Sequence, residues 1–384
     1  MFGKNWRKTD EYRTSLFNGA QILSMSVTSF GVPFVIGMVK YGEYATLFAL
    51  PATLSVFVQG LYVSSLKRCG YAEFRSGAGL LNLVFSLLAL SIGSIFGHLD
   101  GILMAVLLAF LLERVRWETL ALTQGHNCYA NTLRDCELIA VVVTSLGLAV
   151  AYSFKFQSCL LPVGLICGNL LISIIKLIRV CPKDCSRSHL ANAQRILSGG
   201  FSGVFIRIHE ELFISQMPYT LSFVLGPREV GIFRVTISVA KFFFKVFPYR
   251  YEVVIAGHLQ RAPEAPRILR YFLLVNLLAI AVAIAAGTAN LAFPALEISG
   301  AVDIWILSSA GCLALTSSFS PLLLLCRPSY YALVIAGFLV TSGLLLVRGY
   351  GSFQLSFVGM NTLFACLILR FLCEAKRRHS GLDV

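Results

Sequence analysis

Charge is what this sequence has least of. Asp, Glu, Lys and Arg make up 13% of its 384 residues, about half their usual share in soluble proteins. Hydrophobic residues make up 57%, and the mean hydropathy is +0.77. This balance excludes a soluble globular domain and points to an all-α chain that crosses a membrane many times. Long polar segments are missing too. The stretches between apolar runs are short, the longest lying near 180–196 and 251–268. A mechanism that needs a soluble nucleotide-binding domain therefore has no place in this chain. No GxxxxGK[ST] sequence is present to cradle phosphates. No small-x-small cleavage site follows the basic start MFGKNWRKTDEYR, so the first apolar segment is expected to be retained.

Metal and cofactor signals are equally sparse. The 11 cysteines are scattered, mostly inside apolar runs (Cys159, Cys167, Cys312, Cys326, Cys366). Only Cys181 and Cys185 lie close together, in CPKDC. Without a second pair nearby they do not read as a zinc knuckle, and apolar packing is the better reading. No cofactor and no metal is expected. The outer segments hold almost no paired carboxylates, with Glu297 and Asp303 the nearest case. That argues against a membrane-embedded glycosyltransferase or polymerase, and the chain reads as a non-enzyme.

What is present is a regular series of spans. A helix needs about 20 apolar residues to cross the hydrocarbon core. About twelve stretches qualify: 15–37, 43–65, 78–97, 101–123, 135–154, 158–179, 197–223, 229–250, 269–292, 301–326, 330–347 and 352–372. With the N-terminus placed in the cytoplasm, basic residues gather on the inner side. Lys4, Arg7, Lys8 and Arg13 come first, then Lys67, Arg68 and Arg75, and the alternation continues to Lys376, Arg377 and Arg378. The outer side holds only Lys40, Lys155, Arg228 and Arg348. This is the positive-inside pattern, and it places both termini in the cytoplasm. It also accounts for the net charge of +13 without a nucleic-acid partner.

The chain repeats itself after six spans. GEYATLFALPATLSVFVQG at 42–60 is similar to PREVGIFRVTISVAKFFFKV at 227–246, with Glu43 on Glu229 and Leu47 on Phe233. A repeat after six spans keeps its orientation, so the two halves are related by an axis along the membrane normal. The division expected is 1–185 and 186–384, each a six-helix bundle.

The stretch from Arg207 to Lys245 departs from this apolar background. It carries Arg207, His209, Glu210 and Glu211 on the seventh span and Arg234, Lys241 and Lys245 on the eighth. A charge at bilayer depth costs roughly 2.5–3.5 kcal/mol on insertion scales, and such residues face a cavity or one another. Arg234, Lys241 and Lys245 share one helical face, opposite Ile237, Phe243 and Phe247. A cationic stripe of this kind suits a phosphate or another anion. Pairing with Glu210 and Glu211 is the alternative. Arg207 can pair within its own helix with Glu210 or with Glu211. His209 and the two glutamates are thus candidates for charge balance or for ion coupling. Gly199, Gly200 and Gly203 let this helix pack closely or bend. On the fourth span, Glu113, Arg114, Arg116 and Glu118 are either helix-end ion pairs or an inner gate. The first span is polar for its place (Asn18, Gln21, Ser24, Ser26, Thr28, Ser29), which suits helix contacts or a hydrophilic cavity equally.

Twelve short-looped spans in two halves, a basic N-terminus and LGPREVGIF leading into the eighth span resemble the polysaccharide transporters. These include the O-antigen-type flippases of the multidrug/oligosaccharidyl-lipid/polysaccharide exporter superfamily. The motif residues are Leu225, Gly226, Glu229, Gly231 and Phe233, with Glu43 in the first half; Ala45 stands where the second half has Gly231. The resemblance implies two six-helix bundles around a central cleft in a bacterial inner membrane. It implies a flippase that moves an isoprenoid-pyrophosphate-linked oligosaccharide between leaflets by alternating access, with membrane lipid and other polysaccharide-assembly proteins as partners. Arg207, Arg234, Lys241 and Lys245 would bind such a cargo. Glu210 and Glu211 fit a purely anionic cargo less well, and they suggest the alternative of an ion-coupled small-molecule exporter of the same superfamily.

Overall fold

The computed structural model describes residues 16–66, 68–97, 99–121, 126–181, 183–246, 265–292, 303–326 and 329–380. Those residues form twelve helical segments and no strand. They are α1 (Leu16–Ile36), α2 (Met38–Leu66), α3 (Tyr71–Phe96), α4 (Leu99–Ala121), α5 (His126–Ser153), α6 (Leu161–Val180), α7 (189–222), α8 (Pro227–Val246), α9 (Ala265–Ala292), α10 (304–326), α11 (Tyr330–Arg348) and α12 (Tyr350–Ser380). Eight of them are long and apolar enough to cross a membrane by length and composition. The other four are α4, α7, α8 and α10. Of these, α4, α7 and α8 carry the charges singled out in the sequence, and α7 and α10 are interrupted. Only helices and closed barrels satisfy every backbone group inside a bilayer. An all-helical, multi-pass fold is therefore the answer this composition demands.

The chain divides into two compact units, Met1–Phe205 and Ile206–Val384. In the first, α2 packs on α4 and on the first part of α7 (His189–Val204), α3 packs on the same two elements, and α6 lies against α4 and α5. Tyr62, Phe74, Trp117, Leu120, Leu133, Leu177 and Ile196 form its core. The first part of α7 joins this unit through its glycines. A methyl group on Gly60 would overlap the carbonyl of Gly203, and one on Gly200 would strike Ser65 and Leu61. At this closeness Ser64 Oγ donates to the carbonyl of Gly200 (3.1 Å) and Ser65 Oγ to that of Ile196 (3.1 Å). Between apolar helices in lipid, contact comes from small residues and such hydrogen bonds rather than from water exclusion. In the second unit, α10 packs on α8, α9 and α12, and α11 packs on α12.

Helix α7 begins at His189, earlier than the hydropathy pattern indicates. Its first turns are amphipathic, and Asn192, Ala193 and Ile196 are buried. Asn192 Nδ2 donates to Ser76 Oγ (3.3 Å) on α3. Two links between spans turn on glycine alone. Gly37, between α1 and α2, has φ +82°, and Gly349, between α11 and α12, has φ +80°. Side chains with a Cβ rarely adopt that region.

The two halves also share an irregularity. Helix α1 contains a π-helical stretch, Val27–Gly31, and the next helical turn, Val32–Ile36, has Pro33 as its second residue. Helix α7 contains one at Glu211–Gln216, and the next turn, Met217–Ser222, has Pro218 as its second residue. Proline supplies no N–H to the carbonyl a turn earlier, and a π stretch is one way the chain absorbs that loss.

Candidate functional site

The break in α7 gathers the charged residues of the seventh span. From Val204 the helix tightens to a 3-10 turn, Phe205–Arg207, returns to one α turn, Ile208–Glu210, and then widens into the π stretch. Irregular turns inside a long helix commonly mark hinges and functional sites. Of the two pairings open to Arg207, the ion pair with Glu210 is formed, between half-buried side chains. The pair cancels two charges at once. Glu211 and His209 are fully buried, each 0% exposed.

His209 lies in an aromatic cluster of the second unit. Its ring stacks on Phe213 (5.1 Å between centroids) and meets Phe364 edge-on (5.0 Å). Phe213 in turn touches Phe338 and Phe357. Phe233 of α8 extends the cluster to Phe353 and Phe357.

On α8 the structure separates the two faces read from the sequence. Ile237 and Phe243 are buried, at 1% and 6% exposure, while Arg234 and Lys241 are half-buried on the other side. Phe247 and the side chain of Lys245 lie outside the described residues.

The charges of the fourth span belong to a network inside the first unit. Arg114 Nε pairs with Glu118 (2.8 Å) and its Nη2 with Glu137 of α5 (3.3 Å). Glu113 accepts from Arg116, from Trp117 Nε1 (2.8 Å) and from Asn82 Nδ2 of α3 (3.0 Å). Asn82 is hydrogen-bonded to Tyr62 of α2. The guanidinium of Arg116 lies 4.8 Å from the centre of the Trp117 ring, and that of Arg75 lies 5.3 Å from it. Arg114, Arg116, Glu113 and Glu118 are thus paired within their own bundle and, through Glu137, Asn82 and Tyr62, tie α2, α3, α4 and α5 together. Glu137 and Asn82 were not distinguished by sequence reasoning, because their partners are remote in the chain. On α1, Asn18 and Ser29 are buried. Ser26 and Thr28 donate to carbonyls one turn earlier (2.8 and 2.9 Å).

The residue that sequence reasoning undervalued most is Asp303. It is 7% exposed and caps α10 by accepting from the N–H of Ile306 (3.1 Å). It also accepts from the Tyr350 hydroxyl (2.6 Å) and from Gln354 Nε2 (2.6 Å), both on α12. Its own N–H donates to Thr236 Oγ1 on α8 (2.7 Å). One residue thus joins three helices of the second unit, its carboxylate linking α10 to α12 and its N–H reaching α8. A lone Asp before the apolar run IWILSS carries the N-cap signal, but the partners on α8 and α12 are invisible locally.

No family model matches the sequence, and no curated protein matches it either. Its fold, however, matches solved transporters over nearly the whole chain. A MATE mutant matches with a TM-score of 0.52 at 12% identity, covering 97% of each chain. An outward-facing multidrug resistance MATE family transporter of the MOP superfamily gives 0.50 at 11% identity, covering 98% of this chain and 96% of its own. A MATE multidrug transporter solved with a bound ligand gives 0.50 at 12% identity, covering 97% and 96%. The fold is therefore that of an all-α, multi-pass membrane protein with about twelve transmembrane helices in two bundles. The proteins it resembles are transporters, not enzymes.

Proposed function

We propose that this chain is an ion-coupled exporter of small molecules that works by alternating access. The observation that carries this reading is the state of the seventh span. Arg207 is neutralised by Glu210, and Glu211 is buried at a break in the helix. A carboxylate inside a membrane bundle is costly, and it commonly marks a proton or ion path. A pyrophosphate clamp would instead want its cations unopposed. The MATE-like fold supports the same choice, since the proteins that share it are multidrug transporters. The test is transport of an organic cation in proteoliposomes under an imposed proton or sodium gradient. Wild-type protein moves the cation against its gradient, and Glu211→Gln does not while remaining folded. Equal transport by both proteins would remove Glu211 from the coupling path.

A second reading has its own support. Arg234 and Lys241 lie half-buried on one face of α8, as a flippase for an isoprenoid-pyrophosphate-linked oligosaccharide would use them. Under this reading, cells depleted of the protein accumulate complete lipid-linked units on the cytoplasmic side of the bacterial inner membrane, and neutralising both cations together abolishes flipping. Unchanged lipid-linked units in depleted cells leave the exporter.

A further inference from the structure

His209 is used by neither reading above, yet it is the most unusual polar residue of the second unit. It is 0% exposed. Neither ring nitrogen makes a hydrogen bond of good geometry among the described residues, although Asn361 comes close enough to be a partner. Burying such a group unpaired costs roughly 1–3 kcal/mol, and in native proteins an orphan of this kind calls for an explanation. Apolar packing alone is a poor one, because phenylalanine would fill the stack between Phe213 and Phe364 without that penalty.

The surroundings suggest what the nitrogens are for. Asn361 of α12, also 0% exposed, lies beside the ring. Its Nδ2 donates to the carbonyl of Phe357 (2.8 Å), which leaves Oδ1 as the atom able to accept, and Oδ1 has no partner among the described residues. A neutral imidazole has one N–H, whereas a protonated one has two. Asn361 can receive one. The charged group acting on the ring is Glu210, which Arg207 already holds.

We propose that His209 is a proton-binding site within the second unit, and that Asn361 and Glu210 hold its protonated ring. A proton arriving at the ring creates a second cation beside Glu210, so His209 and Arg207 then compete for one carboxylate. That competition falls on the 3-10 and π segments of α7, where the helix has least regular bonding to lose. Glu211 lies on the same stretch. The described segments packed against it are α10 and α11, with α12 reached through Phe364 and Asn361. Cys312, Tyr330, Tyr331 and Cys366 on these are residue types without charge at neutral pH. Arg370 is paired with Glu374 (2.9 Å). Arg348 ends α11 about 27 Å from Tyr330. Glu210 is the charge that acts on the ring, and its pair with Arg207 is what the proton would disturb.

This inference rests on the exporter reading for its consequence but not for its test. The first measurement is equilibrium titration of the detergent-solubilised protein labelled with ¹⁵N-histidine, compared with His209→Phe, which keeps the aromatic stack and removes the nitrogens. One imidazole signal, absent from the variant, should titrate within the pH range over which the protein stays folded. The second measurement is ethidium transport in proteoliposomes under an imposed pH gradient. There His209→Phe should fold as the wild type does and lose the response to the gradient. A His209 ring that stays neutral across that range overturns the proposal, as does a variant that responds to the gradient like the wild type. If the wild-type protein moves no ethidium under any gradient, the exporter reading fails, while the titration still decides whether His209 binds a proton.

Discussion

Asp303 shows how much one side chain can hold. Asp303→Ala removes a helix cap, worth about 1 kcal/mol. It also takes the acceptor from Tyr350 and Gln354, which are half-buried, so each costs about 1 kcal/mol, the low end of the range for a donor left unpaired. The expected loss is about 3 kcal/mol, read as a lower unfolding temperature in detergent. Asp303→Asn keeps an oxygen for part of this network and should lose less. Equal stability of the Ala variant would mean that the carboxylate does not hold α10 to α12. Glu113 makes a parallel case in the first unit. Glu113→Gln leaves Arg116 without its counter-charge and should cost about 2 kcal/mol. The indole of Trp117, which donates to the same carboxylate, should report the change in its fluorescence. Neither hub was legible as such in the sequence. Each acid was visible, and so were the near neighbours Arg116 and Trp117 of Glu113, but Asn82, Tyr350 and Gln354 lie tens of residues from the acids that hold them.

Helices were easier to read than their contacts. Each predicted span has a helical counterpart among the described residues, because the bilayer demands long apolar runs and a protein of this composition has few other options. The start of α7 was missed for a physical reason. Its amphipathic first turns bury one face against α2 and α3 and leave Leu190 and Leu197 exposed, so average hydropathy falls below that of a span. The glycines of α7 were visible, and the structure shows their use. Gly60→Ala and Gly203→Ala force a methyl onto backbone or side-chain atoms of the facing helix and should destabilise by about 1–3 kcal/mol. A methyl at Gly343 of α11 meets nothing within 4 Å. The same substitution there should be neutral or stabilising by up to about 1 kcal/mol. Unfolding midpoints of the three variants test the contrast, and a uniform response would sink the close-crossing account. The π stretches of α1 and α7 were not foreseen, although Pro33 and Pro218 stood in the sequence as their markers.

For the whole molecule, the basic-residue pattern makes a topological prediction that two cysteines can test. Cys159 lies between α5 and α6, and the exposed Cys185 lies between α6 and α7. In single-cysteine variants, a membrane-impermeant maleimide should reach Cys159 from outside and Cys185 only in inverted vesicles. Burial pushes the Cys159 thiol above its ordinary range. The thiolate is the reactive form, so labelling of Cys159 should be slow at neutral pH and quicken as the pH rises. Labelling of both from one side would contradict the layout. Transport itself is the central claim. Its most direct measurement is ethidium uptake into proteoliposomes of known orientation under an imposed proton or sodium gradient, with wild-type protein beside Glu211→Gln. The account predicts gradient-driven accumulation with the first and none with the second, at equal folded protein. Accumulation by both proteins alike, or by neither under either gradient, would contradict it.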